Sequence, residues 1–295
     1  MIGDNAFCAC KNISEVFLPE SITRIGNNAF SNISNLKKIN IPQDVNYIGS
    51  NAFINTFREN RHDAVEEENG VYYIGNWAMG TVKEREEREK KDEDDLFFGL
   101  VSQHRYKDVL PESGAITIRE GTVGVAAGAF SNSQITTACL PDSLKYICDH
   151  AFSTHSLKSI SIPGGVEEIG EYAFNSCQEL ESLTLNEGLV TIGRSAFNCC
   201  KNLQSIIIPH TVRRIEEDAF RFCTGLQSLT IPDVEIEVGR DAFGYCDDIP
   251  NMDVPERILA QFNKDDGGYA EYLRSCEGKD EITPVPEIDA DDLPF

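Results

Sequence analysis

The chain has 295 residues, 41% of them apolar and 25% charged, with a net charge of −23 from 26 basic and 49 acidic side chains. This balance argues against binding along a nucleic-acid backbone, which needs Lys and Arg, and it favours solubility and a basic partner. No window approaches 18 consecutive apolar residues, so no membrane-spanning helix is expected, and MIGDNAFCAC at the start lacks the regions of a secretory signal.

The chain enters in the middle of a pattern, Ile2-Gly3-x-x-Ala6-Phe7. The dipeptide Ala-Phe then ends at Phe7, Phe30, Phe53, Phe130, Phe152, Phe174, Phe197, Phe220 and Phe243, with steps of 23, 23, 77, 22, 22, 23, 23 and 23. A period near 23 with one interruption is the mark of a solenoid. Nine Phe at one phase are too costly to expose, so their rings are expected in one continuous buried column. A second cassette, L-x-x-I-x-I-Pro and its variants, occupies residues 13–18, 36–41, 116–118, 135–140, 157–162, 180–185, 203–208, 226–231 and 249–254. Alternation at its end predicts nine short parallel strands, each stopped by Pro in the regular form. The arm from strand to Phe carries a Gly suited to a tight corner and a short helical turn at Ala-Phe. The predicted architecture is an α/β solenoid over residues 1–255.

Between Phe53 and Phe130 the spacing exceeds one period by 77 − 23 = 54 residues. This insertion, about residues 54–112, opens with a hairpin: Asn69-Gly70 signals the turn, Val71 to Ile74 is β-rich, and the single Trp, Trp77, follows. Residues 83–95, KEREEREKKDEDD, read either as a solvated helix with i,i+4 ion pairs or as disorder. After residue 254, Pro255 at a first helical position and Ile258, Leu259 and Phe262 on one face predict a helical cap over residues 255–276. Residues 277–295 form an acidic tail expected to be disordered.

The ten cysteines suggest a disulfide framework until their phase is considered. Cys10, Cys177, Cys200, Cys223 and Cys246 each follow a spine Phe by three residues, in a slot that Ile33 fills elsewhere. A position that accepts Cys or Ile is a small buried apolar one, so reduced thiols are expected. With the start of the chain, this predicts a cytoplasmic protein, or a cell-surface one if the chain is a fragment.

The cassette Ile-Gly-x-x-Ala-Phe-x-x-Cys-x-x-Leu-x-x-Ile-x-Ile-Pro resembles the BspA-like (Treponema-type) leucine-rich repeat family over about residues 2–255, and residues 69–77 resemble the hairpin of that family. The resemblance implies a leucine-rich repeat with a parallel β-ladder, no catalytic activity and no cofactor, and proteins as partners; many members are surface adhesins. The C-terminus, Asp291-Asp292-Leu293-Pro294-Phe295, resembles the acidic tip of bacterial single-stranded DNA-binding protein. It implies docking of replication and repair proteins through Asp289, Asp291, Asp292, Leu293, Pro294 and Phe295, and it carries no DNA binding with it.

Other candidates have plainer readings. Ser159, Ser182, Ser205 and Ser228 share one strand phase, with Ser161, Thr184 and Thr230 two residues on. They predict an exposed hydroxyl column, serving as a ligand surface or as the solvated face of an open sheet. Cys148, Asp149, His150 and His155 could gather around a metal or simply vary the repeat, and the second reading is preferred. Gly121, Gly124 and Gly128 lack the G-x-G start of a dinucleotide loop. Two function classes remain: an intracellular interaction scaffold whose tail docks a DNA-maintenance protein, or a surface adhesion module.

Overall fold

The computed structural model describes residues 1–54, 56, 65–81, 83–85, 106–108, 110–246 and 249–262. The chain coils as a β-solenoid whose nine cassette strands are Glu15–Val16, Lys38–Ile39, Ala115–Thr117, Thr137–Cys139, Ser159–Ile162, Ser182–Leu185, Ser205–Ile207, Ser228–Thr230 and Asn251–Asp253. All pair in parallel and in repeat register, for example Ser159 with Ser182 and Ile162 with Leu185. The single ladder expected from the sequence is divided into runs of two, four and three strands. The first break is the insertion. The second separates Ser182–Leu185 from Ser205–Ile207, where a different ladder keeps the rungs together.

That other ladder has no counterpart in the sequence pattern. The Ile of each Ile-Gly corner sits in a two-residue strand, and these pair across Gly124–Val125, Tyr146–Ile147, Glu168–Ile169, Thr191–Ile192, Arg214–Ile215 and Glu237–Val238. Two side-chain residues per rung are too few for an alternation signal. The corner Gly serves close approach between rungs. A Cβ on Gly193 would lie 2.5 Å from the carbonyl oxygen of Ile169 in the rung before.

The arm around Ala-Phe is not helical. Among the described residues, every non-glycine residue with positive φ except Asn69 lies two positions before or after a spine Phe, as Ser195 (φ 51°) and Cys199 (φ 61°) flank Phe197. A left-handed residue every fourth position cannot join an α-helix. It makes successive N–H groups point alternately along and across the solenoid. The N–H groups of Ser195, Phe197 and Cys199 donate to Glu217, Ala219 and Arg221 of the next rung at 2.9, 2.7 and 2.8 Å. Those of Ala196, Asn198 and Cys200 close local turns on Gly193, Ser195 and Phe197.

This lattice sets the Phe rings face over face. Phe7, Phe30 and Phe53 stack at 5.2 and 5.4 Å; Phe130, Phe152, Phe174, Phe197, Phe220 and Phe243 stack at 5.0–5.2 Å. The expected single column is therefore two runs. Eight of the nine rings are buried, and Phe7, in the first rung, is 38% exposed.

The cysteine slot has a second reason beyond size. The thiols of Cys177, Cys200, Cys223 and Cys246 donate to the carbonyls of Phe152, Phe174, Phe197 and Phe220 at 3.2–3.4 Å, one rung back. Each satisfies a core carbonyl that a purely apolar residue would leave with fewer partners. Cys246 is half-buried and the other three are fully buried, and all are free thiols. Burial, more than the neighbouring thiols, holds Cys200 well above the usual thiol range.

The insertion places strands Glu66–Glu68, Val71–Ile74 and Trp77–Thr81 in an antiparallel meander with Asn69-Gly70 at a left-handed turn. Lys83–Arg85, read as helix or disorder, is a strand paired antiparallel with Tyr106–Asp108. The rest of residues 83–95 lies outside the described residues. Glu256–Phe262 is a helix with Ile258 fully buried beneath the last rung. Residues 263–276 of the proposed cap lie outside the described residues. No helix among the described residues is long and apolar enough to cross a membrane.

Phe197 touches ring neighbours on both sides, so truncation leaves a void in a stack that its backbone lattice prevents from closing. Phe197→Ala is expected to cost about 3–5 kcal/mol, read as a lowered urea midpoint with unchanged slope.

Candidate functional site

The outward side chains of the cassette strands form two columns. From Ala115 to Thr230 they are Ala115, Thr137, Ser159, Ser182, Ser205 and Ser228 in one, and Thr117, Cys139, Ser161, Thr184, Ile207 and Thr230 in the other, as the strand registers place them. None of these positions is charged, in a chain that is 25% charged. The registers align the ladder residues singled out by sequence in two groups, one on each side of the break between Ser182 and Ser205. Ser159 faces Ser182, Ser205 faces Ser228, and Thr184 and Thr230 lie in the companion column. The backbone pairing lapses between Ser182 and Ser205. Within the second column Ile207 is 68% exposed, the largest apolar side chain on the neutral stretch. Thr117, Thr137, Cys139 and Ile207 stand at the same two cassette positions, and what they share with the serines is lack of charge rather than residue type, a signal that serine identity alone does not carry. At the two ends of the face charge returns with Glu15, Lys38 and Asp253.

The second ladder presents a different surface. Its outward column runs Tyr146, Glu168, Thr191, Arg214 and Glu237. Arg194 and Arg240 both reach Glu217, and Arg214 lies 3.3 Å from Glu237. These pairs are solvent-exposed and contribute little to stability. They make the grooves beside Arg214 mixed in charge, unlike the neutral face.

The Cys148 neighbourhood does not assemble a metal site. Cys148 is buried, His150 is exposed and stacks on Tyr172 at 4.9 Å, and His155 is exposed. Among the described residues no three metal-ligating side chains converge. Asp149 accepts a 2.9 Å hydrogen bond from the Tyr47 hydroxyl, and Arg24 stacks over the Tyr47 ring at 3.6 Å. Burial, then the Asp149 charge, raises the Tyr47 phenol above its ordinary value, and burial pushes the Cys148 thiol up to about 12. Asp289, Asp291, Asp292, Leu293, Pro294 and Phe295 all lie outside the described residues.

Six copies of the BspA type leucine rich repeat region match residues 1–81 and 123–250. The chain belongs to the BspA-type leucine-rich repeat family. No curated protein matches this BspA-type chain in sequence. Solved structures similar to it include a leucine-rich repeat protein from Eubacterium ventriosum, 16% identical, TM-score 0.48, covering 86% of this chain and 80% of that one. A leucine rich cell surface protein from Faecalibacterium prausnitzii is 20% identical, TM-score 0.43, with 90% and 66% coverage. The leucine rich repeat protein of T. pallidum is 22% identical, TM-score 0.42, with 54% and 87% coverage. Members of the BspA-type repeat family are in general scaffolds.

Cys148 and Tyr47 have one consequence for pH. Both are held protonated in the fold, so their contribution to stability is complete below pH 9, the ordinary thiol value. It is lost as pH rises from 9 towards 12, because the unfolded thiol ionises first. Urea midpoints are expected to fall across this range, and to fall less in Cys148→Ala than in the parent chain.

Proposed function

We propose that the protein is a non-enzymatic interaction scaffold that receives another protein on the uncharged strand face between Ala115 and Thr230. The observation that carries this is the run of outward positions with no charge, aligned by strand register. Docking here strips water from hydroxyls and short apolar groups, and no ionised side chain is buried unpaired. Hydroxyls donate and accept, so they fit either sense of a partner's polar groups. Ile207, exposed at 68%, supplies an apolar anchor. The acidic remainder of the surface steers a partner with basic flanks toward the neutral centre.

The second element is the C-terminal peptide. Its resemblance to the acidic tip of single-stranded DNA-binding protein supports docking of a DNA replication or repair protein. The Phe295 ring would enter an apolar pocket, the α-carboxylate would pair with Arg or Lys, and Asp289, Asp291 and Asp292 would meet a basic rim. Leu293 and Pro294 limit the ordering cost of the bound turn. The free thiols of the core support a reducing compartment and so an intracellular location. Family membership also fits the alternative of a surface adhesin, which detection of the native protein on intact cells would favour.

Both elements are testable on the full chain. A photo-crosslinking residue at Ser205 is expected to give protein adducts in cells, and a second change, Ile207→Asp, to abolish them. The same probe at exposed Glu167 serves as control; identical adducts from both positions would remove the strand face from consideration. A labelled peptide of residues 281–295 is expected to bind proteins that take the acidic tip, with at least tenfold weaker binding once Phe295 is deleted. Equal binding without Phe295 would leave only an acidic tail.

A further inference from the structure

The buried residues fall into two cores. One contains Ile25, Phe30, Val45, Ile48 and Phe53 of the first three rungs, closed by Ala126, Ala127 and Cys148 of the later rungs; the other spans the remaining buried residues from Ile116 to Ile258. The insertion hairpin belongs to both. Along Val71–Ile74, Val71 and Tyr73 lie in the second core, while Ile74 lies in the first and Tyr72 packs against it. Along Trp77–Thr81, Trp77 and Met79 lie in the first core and Ala78 in the second. This is the two-residue alternation of a strand buried on both faces, here with a different core on each face.

The backbone is tied unequally to the two sides. Trp77–Thr81 pairs in parallel with Gly124–Val125, and the N–H groups of Val123 and Ala126 donate to Asn76 and Ala78 at 2.9 and 3.0 Å. Arg119 clamps the hairpin as well: its guanidinium reaches Glu66, donates to the Gly75 carbonyl at 2.9 Å and lies 4.2 Å from the Tyr73 ring centroid. Toward the first three rungs Ile74, Trp77 and Met79 pack their side chains into the first core. In an unbroken stretch the N–H after the corner Ile bonds the preceding Ile carbonyl, as Gly193 bonds Ile169 and Gly239 bonds Ile215. At the junction Ala78 takes that acceptor slot, and Ile48 is left with the next N–H, that of Ala127, at 2.8 Å. The first three rungs are thus joined one residue out of step, with the Tyr47–Asp149 hydrogen bond alongside.

We propose that the hairpin is a built-in joint: residues 2–53 form a unit that opens from the hairpin's Trp77–Met79 face while the hairpin and the six later rungs remain folded. A solenoid's stability is a sum of rung and interface contributions, so a packed but slipped interface is where opening is cheapest. The joint also makes the strand face two surfaces, Glu15 to Asn40 and Ala115 to Asp253, whose relative orientation can change on binding.

Amide hydrogen exchange of the full chain, read peptide by peptide, tests this. Ile74→Ala, on the face toward the first core, is expected to speed exchange in residues 24–53 at least tenfold and to leave residues 159–231 unchanged. Tyr47→Phe, which removes only the Asp149 hydrogen bond, is expected to act on the same residues with a smaller factor. Equal acceleration of both regions by Ile74→Ala would show one cooperative unit and overturn the proposal. So would an Ile74→Ala variant in which residues 24–53 keep the parent rate.

Discussion

The fold depends on the left-handed residues that flank each spine Phe. They turn alternate N–H groups out of the rung, so Ser195, Phe197 and Cys199 bond the next rung while the residues between them close local turns. Everything else follows from this lattice. Ring stacking at about the rung spacing is a result of backbone pairing. The cysteine slot exists because the spine carbonyl faces inward and accepts a thiol from the following rung. The positions favour Asn, Asp, Ser and Gly, which tolerate positive φ. Where Tyr172, Phe222 and Tyr245 stand there instead, each stacks on an aromatic neighbour: Tyr172 on His150, and Phe222 on Tyr245, an attraction of about 0.5–1.5 kcal/mol that offsets the strained backbone.

Two ladders on one coil give the protein two chemically distinct surfaces. The corner ladder carries ion pairs such as Arg214–Glu237, which hold little energy but keep that side strongly hydrated. The cassette ladder keeps its centre free of charge. A scaffold with net charge −23 repels most acidic macromolecules over long range, and the neutral strip is where close contact costs least.

The insertion is tied into the solenoid rather than looped out of it. By lending Ala78 as an acceptor and dividing its side chains between two cores, the hairpin restores packing across a break in the repeat. The cost is a register slip of one residue, since an added strand cannot occupy a rung's hydrogen-bond slot without displacing the rung before it. Gly124 reflects the same crowding: a Cβ there would lie 2.5 Å from the Trp77 ring.

The sequence by itself determined the repeat, the nine cassette strands, the buried Phe phase, the hairpin at Asn69-Gly70 and the reduced thiol slot. Each of these recurs or carries strong local chemistry, and repetition makes a weak signal legible. It was silent on the two-residue corner strands, because two residues show no period. It misled at Ala-Phe, where a helical turn looked natural; the left-handed positions hold residues as different as Asn28, His150 and Phe222, and no single letter marks them. It identified the hydroxyl column of the candidate face but not that face's lack of charge. The decisive property, the absence of charge across twelve aligned positions, appears only when strands 22 or 23 residues apart are laid in register. The two cores and the shared hairpin belonged to tertiary structure alone, because alternation along a strand says that two faces are buried and not that each is buried in a different core.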